Sequence, residues 1–104
     1  MINIIKNMLG GSESTDYKTL AERGAMIVDV RSKGEFDGGH VKGAINVPLD
    51  TLPAQCAKWD KKTPIVTCCA SGMRSASAKS VLQAKGFKEV YNGGGWTDLQ
   101  RKLQ

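Results

Sequence analysis

Two short runs constrain this chain more than anything else in it: Met26-Ile27-Val28-Asp29-Val30 and Pro64-Ile65-Val66-Thr67-Cys68. A strand with one wet face alternates apolar and polar residues; these runs are too continuous for that, and they read as strands covered on both faces. Strands of that kind belong to parallel sheets, whose crossovers carry helices. With 104 residues there is room for one such sheet, one core and one domain.

The rest of the chain supplies the helices. Asp16 is placed to cap a helix over Tyr17 to Arg23, with Gly24 as its stop. Ser32 to Asp37 forms a short element closed by Gly38-Gly39, and Val41 to Val47 holds a brief strand centred on Ala44-Ile45-Asn46. Asp50 or Thr51 caps a helix running to Trp59, with Pro53 in the first turn, where its missing N–H has no partner anyway. A helix over Ser75 to Lys85 follows the second covered strand and stops at Gly86. Glu89-Val90-Tyr91 is a last strand, Asn92-Gly93-Gly94-Gly95 a flexible turn, and Thr97 the cap of a terminal helix through Leu103.

Residues 1–13 read as an N-terminal arm, with Ile2, Ile5, Met8 and Leu9 on one face of a short helix ended by Gly10-Gly11; residues 14–104 form the domain. The alternation of strands and helices predicts an open α/β sheet with helices on both faces. In such sheets ligands bind beyond the carboxyl ends of the strands.

Composition narrows the function classes. Hydrophobic residues at 40% and charged ones at 24% exclude a disordered chain. No apolar stretch approaches the ~20 residues of a membrane-spanning helix, and the first residues lack the continuous apolar centre of a signal peptide. The expectation is a cytoplasmic protein with no membrane partner. An odd count of 3 cysteines, two of them adjacent at Cys68 and Cys69, argues against a disulfide framework and fits a reducing compartment. Cys56, Cys68, Cys69 and His40 have no zinc spacing, so no metal is expected. The net charge of +5 comes from scattered lysines, and with 2 Trp, 2 Tyr and 2 Phe there is little to stack on bases, so no nucleic-acid partner is expected. The same charge raises the local concentration of small anions.

The informative segment is Cys69-Ala70-Ser71-Gly72-Met73-Arg74, between the second covered strand and its helix. A thiol becomes a nucleophile as a thiolate, which a helix N-terminus or a nearby cation stabilises. Backbone N–H groups of Ala70, Ser71, Gly72, Met73 and Arg74 can curl into an anion nest, Gly72 permits the dihedrals this needs, and the helix points its positive end at the sulfur. Arg74 adds a fixed charge and a planar fork of donors suited to a sulfonate or phosphate group.

This loop resembles that of the rhodanese family of sulfurtransferases, which runs Cys, two residues, Gly, one residue, Arg. Asp29-Val30-Arg31, Glu35-Phe36, Gly39-His40-Val41, Gly43-Ala44 and Asn46-Val47-Pro48 follow the family's N-terminal pattern, and Gly86-Phe87 with Asn92-Gly93-Gly94-Gly95 resembles its C-terminal one. The resemblance covers residues 14–104. It implies a three-layer α/β/α domain with a mostly parallel central sheet, and a Cys69 that accepts a sulfane sulfur as a persulfide and yields it to a nucleophile. The implied partners are a small anionic donor such as thiosulfate and a cyanide, thiol or protein acceptor, with no cofactor. Ala70, Ser71 and Met73 are uncharged, so the loop does not single out thiosulfate over a protein or glutathione persulfide.

Two other functions stay open. Counted from Cys68, the spacing is Cys, five residues, Arg, that of a cysteine-dependent phosphatase; against it stand Thr67 where tyrosine-type phosphatases have His, the position of Gly72 and the lack of an evident general acid. A persulfide carrier or docking domain for one protein partner is the other. Around the loop, Asp29, Arg31 and Glu35 are expected to brace the site from below through an Arg31–Glu35 ion pair and an Asp29 bond to backbone. Cys68 reads as a strand residue facing the other side of the sheet. Cys56 reads as packing and His40 as part of a structural turn. Trp59 and Trp96 read as core or pocket wall, Trp96 near the site mouth.

Overall fold

The structure is a computed structural model that describes residues 15–104. The expected arm, 1–13, and its short helix lie outside the described residues. Four strands, β1 (Met26–Asp29), β2 (Ile45–Asn46), β3 (Ile65–Cys69) and β4 (Val90–Gly95), form one sheet in the order β2-β1-β3-β4. All of its pairings are parallel. Helices α1 (Tyr17–Glu22), α2 (Lys33–Asp37), α3 (Leu52–Gln55), α4 (Met73–Ala84) and α5 (Trp96–Leu103) occupy the connections and the chain end.

Strand alternation divides the core in two. From β1 and β3, Val28, Ile65 and Cys69 turn to one face, where they meet Leu52 and Cys56 from the α3 region and Ala78 and Leu82 of α4. Their neighbours Ile27, Val66 and Cys68 turn to the other, where they meet Leu20 of α1 and Leu99 of α5. This is the expected α/β/α sandwich, and both central strands are covered on both sides, as their continuous apolar runs require.

Local chemistry sets the element ends. The Asp16 carboxylate accepts the Thr19 N–H at 3.0 Å and caps α1. Ser32 and Glu35 close a reciprocal capping box at the start of α2, the Ser32 N–H donating to Glu35 Oε1 at 3.0 Å.

Four sequence expectations need correction. The brief strand expected within Val41 to Val47, centred on Ala44-Ile45-Asn46, loses Ala44 and is Ile45–Asn46, because the chain makes a turn first: Gly43 has φ +85° and the Ala44 N–H donates to Val41 O at 3.0 Å. The helix expected up to Trp59 is a short α3 between two 3₁₀ turns, Leu49–Thr51 and Cys56–Lys58; Thr51 stands at its N-cap position, but its side chain makes no capping bond. The Thr51 hydroxyl instead donates back to Pro48 O at 2.9 Å. Thr97 does not cap α5, whose first turn follows Gly95 directly.

The fourth correction is the largest. Gly93, Gly94 and Gly95 are strand, not a flexible turn. Between Thr67↔Asn92 and Cys69↔Gly95 the register shifts, so two residues of β4 oppose one of β3, a bulge in which Gly94 takes φ +79°. At Gly93 a Cβ would stand 2.8 Å from Thr67 O and 2.9 Å from both Leu99 Cδ2 and Val66 Cγ1. These glycines let β4 press against β3; they do not loosen it.

Candidate active site

The central pair of strands, β1 and β3, is where the connections diverge: β2 lies outside β1 and β4 outside β3. Crevices at the carboxyl ends of such a pair are the binding places of open α/β sheets. Cys69 is the last residue of β3 and stands there.

Three features act on its sulfur. Strand alternation turns the side chain towards α4 and leaves the residue 1% exposed. Ala70 and Ser71 form a bend, and Gly72, at φ +102°, swings the chain back so that α4 begins at Met73, two residues ahead of the expected start. The reversal brings the Gly72 N–H to 2.9 Å and the Ser75 N–H to 3.4 Å from Cys69 Sγ. Burial pushes the thiol pKa up, but the hydrogen bonds from the Ser75, Gly72 and Ser71 backbone and the Ser75 hydroxyl outweigh it, and the net shift is below the ordinary thiol value. The positive end of the 12-residue α4 acts in the same direction. The loop therefore turns its N–H donors on the Cys69 sulfur and favours its charged form.

Cys68 differs in every one of these respects. It is fully buried among Ile27, Val66 and Leu99 on the opposite face. Burial, and after it the nearby Asp29 charge, push its thiol up to about 12.

The charged residues pair differently from the expected pattern. Arg31 bonds Asp29, not Glu35: Arg31 Nη2 donates to Asp29 Oδ2 at 2.7 Å and Nε to Oδ1 at 2.9 Å. Two residues apart at the end of β1, these side chains share one face of the sheet, the Cys68 face, while Glu35 sits on α2. The Asp29–Arg31 pair is almost wholly buried, at 0% and 4% exposure. It is completed by Gly39 O at 2.6 Å from Arg31 Nη2 and by the Trp96 ring, 4.9 Å from the guanidinium carbon. Glu35 instead receives Arg74 in a two-pronged pair, Nη1 to Oε1 at 2.7 Å and Nη2 to Oε2 at 2.9 Å. That guanidinium, ahead of the Ser32 N–H, holds the Glu35 carboxyl at about 2. Arg74 thus leaves α4 tied to α2, at the edge of an apolar hollow of about 430 Å³ lined by Val30, Pro48 and Leu49.

The remaining side chains fall where packing puts them. Cys56 is fully buried, its Sγ 3.5 Å from Pro53 O. His40 stacks on Phe36 with ring centroids 3.7 Å apart, and its Nδ1 lies 2.8 Å from Phe36 O, which is a structural turn. Trp59 meets Phe87 edge-on in the core. Met73 is 79% exposed at the top of the loop.

Three residues of the site escaped the sequence reading. Ser75 is fully buried; its hydroxyl donates towards Gly72 O at 3.1 Å and Asn92 Oδ1. Asn92 opens the β4 bulge. Thr67, also fully buried, donates its hydroxyl to Ser75 O at 2.9 Å. A signal for Thr67 was present, since a polar residue inside a covered strand must find a partner. Nothing in the sequence marked Ser75 as buried or Asn92 as its neighbour.

Comparison with known proteins identifies the family. Residues 13–102 match the family described as Rhodanese-like domain. The thiosulfate sulfurtransferase GlpE of Stutzerimonas stutzeri is 37% identical over 95 residues, covering 84% of this chain and 87% of that protein. An uncharacterized protein of Bacillus subtilis, YqhL, is 37% identical over 82 residues; the match covers 72% of this chain but spans only 65% of YqhL. Among solved structures, a rhodanese with anions from E. coli superposes with a TM-score of 0.66 at 34% identity, covering 71% of this chain and 89% of that one. With fold and sequence in agreement, the chain belongs to the rhodanese-like family of sulfurtransferases.

Proposed function

We propose that this domain is a sulfurtransferase that moves a sulfane sulfur from an anionic donor such as thiosulfate to a nucleophilic acceptor, through a persulfide on Cys69. The observation that carries this reading is Cys69 Sγ itself, held by the Gly72 and Ser75 N–H groups at the start of α4 and shifted towards the thiolate. Relatives named thiosulfate sulfurtransferases, at 37% identity in S. stutzeri and 35% in E. coli, support the same chemistry.

The Cys69 thiolate attacks the outer sulfur of thiosulfate. A sulfur–sulfur bond forms to Cys69 as the donor's own sulfur–sulfur bond breaks, and sulfite leaves with the bonding pair. The loop N–H groups of Ala70, Ser71, Gly72, Met73 and Arg74 then cradle the negative persulfide. A guanidinium has five N–H donors, and Arg74 spends two on Glu35, so the rest are available to the donor's anionic end. Cyanide or a thiolate next attacks the terminal sulfur, carries it away as thiocyanate or a new persulfide, and returns Cys69 as the thiolate. Every step is an exchange at sulfur, so the reaction calls on no cofactor. Three free cysteines suit a reducing, cytoplasmic setting, and no helix among the described residues is long and apolar enough to cross a membrane.

Two observations weigh against the phosphatase reading: Cys68 faces away from the loop, and its thiol is pushed up to about 12. A carrier that hands the persulfide to one protein would use the same Cys69 step and differ only in the acceptor.

Intact-protein mass spectrometry after thiosulfate treatment tests the reading. The expected result is a gain of one sulfur atom, discharged by cyanide as thiocyanate and lost in Cys69→Ser. A chain that gains no sulfur, or gains it equally in Cys69→Ser, overturns it.

A further inference from the structure

We propose that Asn92 is a positioning residue of the sulfur site, its one side-chain amide tying the two backbone donors that meet Cys69 Sγ to the glycine bulge of β4. This rests on the reading that Cys69 reacts as a thiolate.

The donors are the N–H groups of Gly72 and Ser75. The N–H groups of both have no partner within α4, whose hold on Gly72 is the bond from the Ala76 N–H to Gly72 O at 3.0 Å. Asn92 reaches both residues. Its Oδ1 accepts the Ser75 hydroxyl, and its Nδ2 lies 3.4 Å from Gly72 O. The Ser75 hydroxyl has one proton and, besides the Cys69 sulfur, two oxygens within reach, Gly72 O at 3.1 Å and the nearer Asn92 Oδ1, so Asn92 holds that side chain in place.

Asn92 is itself fixed from three sides. Its Oδ1 also accepts the Gly94 N–H at 2.9 Å, inside the bulge. The Tyr17 hydroxyl of α1 donates to its backbone carbonyl at 3.0 Å. Gly93, beside it, leaves no room for a Cβ, which would stand 2.8 Å from Thr67 O and 2.9 Å from Val66 Cγ1, so β4 lies close against β3. The amide therefore transmits the position of a rigid strand to a loop that would otherwise hang from the helix end. Hydrogen bonds weaken steeply with misalignment, so a donor set that must hold an anion in a buried place depends on such support.

The test reads the thiolate without any sulfur donor: the rate of Cys69 alkylation by iodoacetamide against pH, located by peptide mass mapping, in the parent, Asn92→Ala and Asn92→Asp. The expected result for Asn92→Ala is a profile displaced to higher pH and alkylation at pH 7 slowed by roughly threefold to tenfold, a tenfold change corresponding to one pKa unit. Asn92→Asp keeps an acceptor for the Gly94 N–H and the Ser75 hydroxyl, so a merely structural role is preserved. It loses the amide donor facing Gly72 O and adds a negative charge, and alkylation is expected to be slower still. A parent-like profile in folded Asn92→Ala overturns the proposal; if that variant does not fold, a parent-like profile in Asn92→Asp does so. Because thiosulfate plays no part in the measurement, failure of sulfur transfer in the parent leaves this result readable on its own.

Discussion

Cys68 and Cys69 are neighbours on one strand, chemically identical and both buried, yet the two faces of β3 make opposite thiols of them. On the α4 face the sulfur meets N–H donors at 2.9 and 3.4 Å and the positive end of a 12-residue helix. On the α1 and α5 face it meets Ile27, Val66 and Leu99, with the Asp29 carboxylate nearby. Burial raises both thiols; only Cys69 receives hydrogen bonds that reverse the effect. Burial by itself thus says little about a cysteine's reactivity, and the identity of the groups that replace water decides it.

The largest expected effect breaks this contrast directly. Cys69→Ser reduces sulfur transfer to background in a thiocyanate assay, whereas Cys68→Ala keeps transfer within about threefold of the parent, as expected where no reacting atom is touched. In the unmodified chain at pH 8, iodoacetamide labels Cys69 and leaves Cys68, whose thiol at about 12 is protonated there. Labelling of Cys68 at a comparable rate would end the distinction between the faces.

On the Cys68 face the support is ionic and buried, and removing half of it is costly. Asp29→Ala leaves the Arg31 guanidinium without its partner and lowers stability by about 3–5 kcal/mol, read from the denaturant midpoint. Gly93→Ala follows, since its Cβ would stand 2.8 Å from Thr67 O; a loss of about 1–3 kcal/mol is expected for forcing β4 away from β3. A melting temperature equal to the parent's would show that the bulge has slack.

The Cys69 face is supported by an exposed pair, and its removal acts on binding more than on folding. Arg74→Ala raises the KM for thiosulfate by roughly threefold to tenfold, in keeping with the modest worth of solvent-exposed charge pairs, and leaves the melting temperature near that of the parent. The smallest effect is one of pH. Glu35 has its carboxyl lowered from 4.5 to about 2, so the folded state binds its proton less readily than the unfolded chain. The stabilisation is complete above 4.5 and is lost as pH falls towards 2. The stability difference between the parent and Glu35→Gln should therefore be constant near neutrality and shrink across that acid range.

The covered strands, the three-layer architecture and the course of the Cys69 loop were legible because each depends on local chemistry. Continuous β-branched runs can be nothing but covered strands in so short a chain, and Gly72 followed by a helix start turns N–H groups towards Cys69 before any distant residue steadies them. Arg31 and Glu35 were misread as a pair because both stand about one turn, where opposite charges were expected to meet. Strand alternation put Arg31 beside Asp29, and the capping box turned Glu35 towards Arg74. The glycines after Asn92 were misread as a flexible turn because the same residue serves a loose loop and a strand pressed against its neighbour; only the space at Gly93, where an added Cβ would stand 2.8 Å from Thr67 O, tells them apart.

By itself the sequence determined which residue could be the nucleophile, through its place before a glycine and a helix, and which segments had to be buried, through their periodicity. Tertiary structure decided how that nucleophile is held. The Asn92 amide comes from a strand far along the chain, Ser75 is buried only because β4 and Thr67 close over it, and Arg74 is steered by a carboxylate on another helix. The physical reason is range: propensity and patterning act over a few residues, whereas a buried hydrogen bond or ion pair is chosen by whichever partner packing brings within about 3 Å.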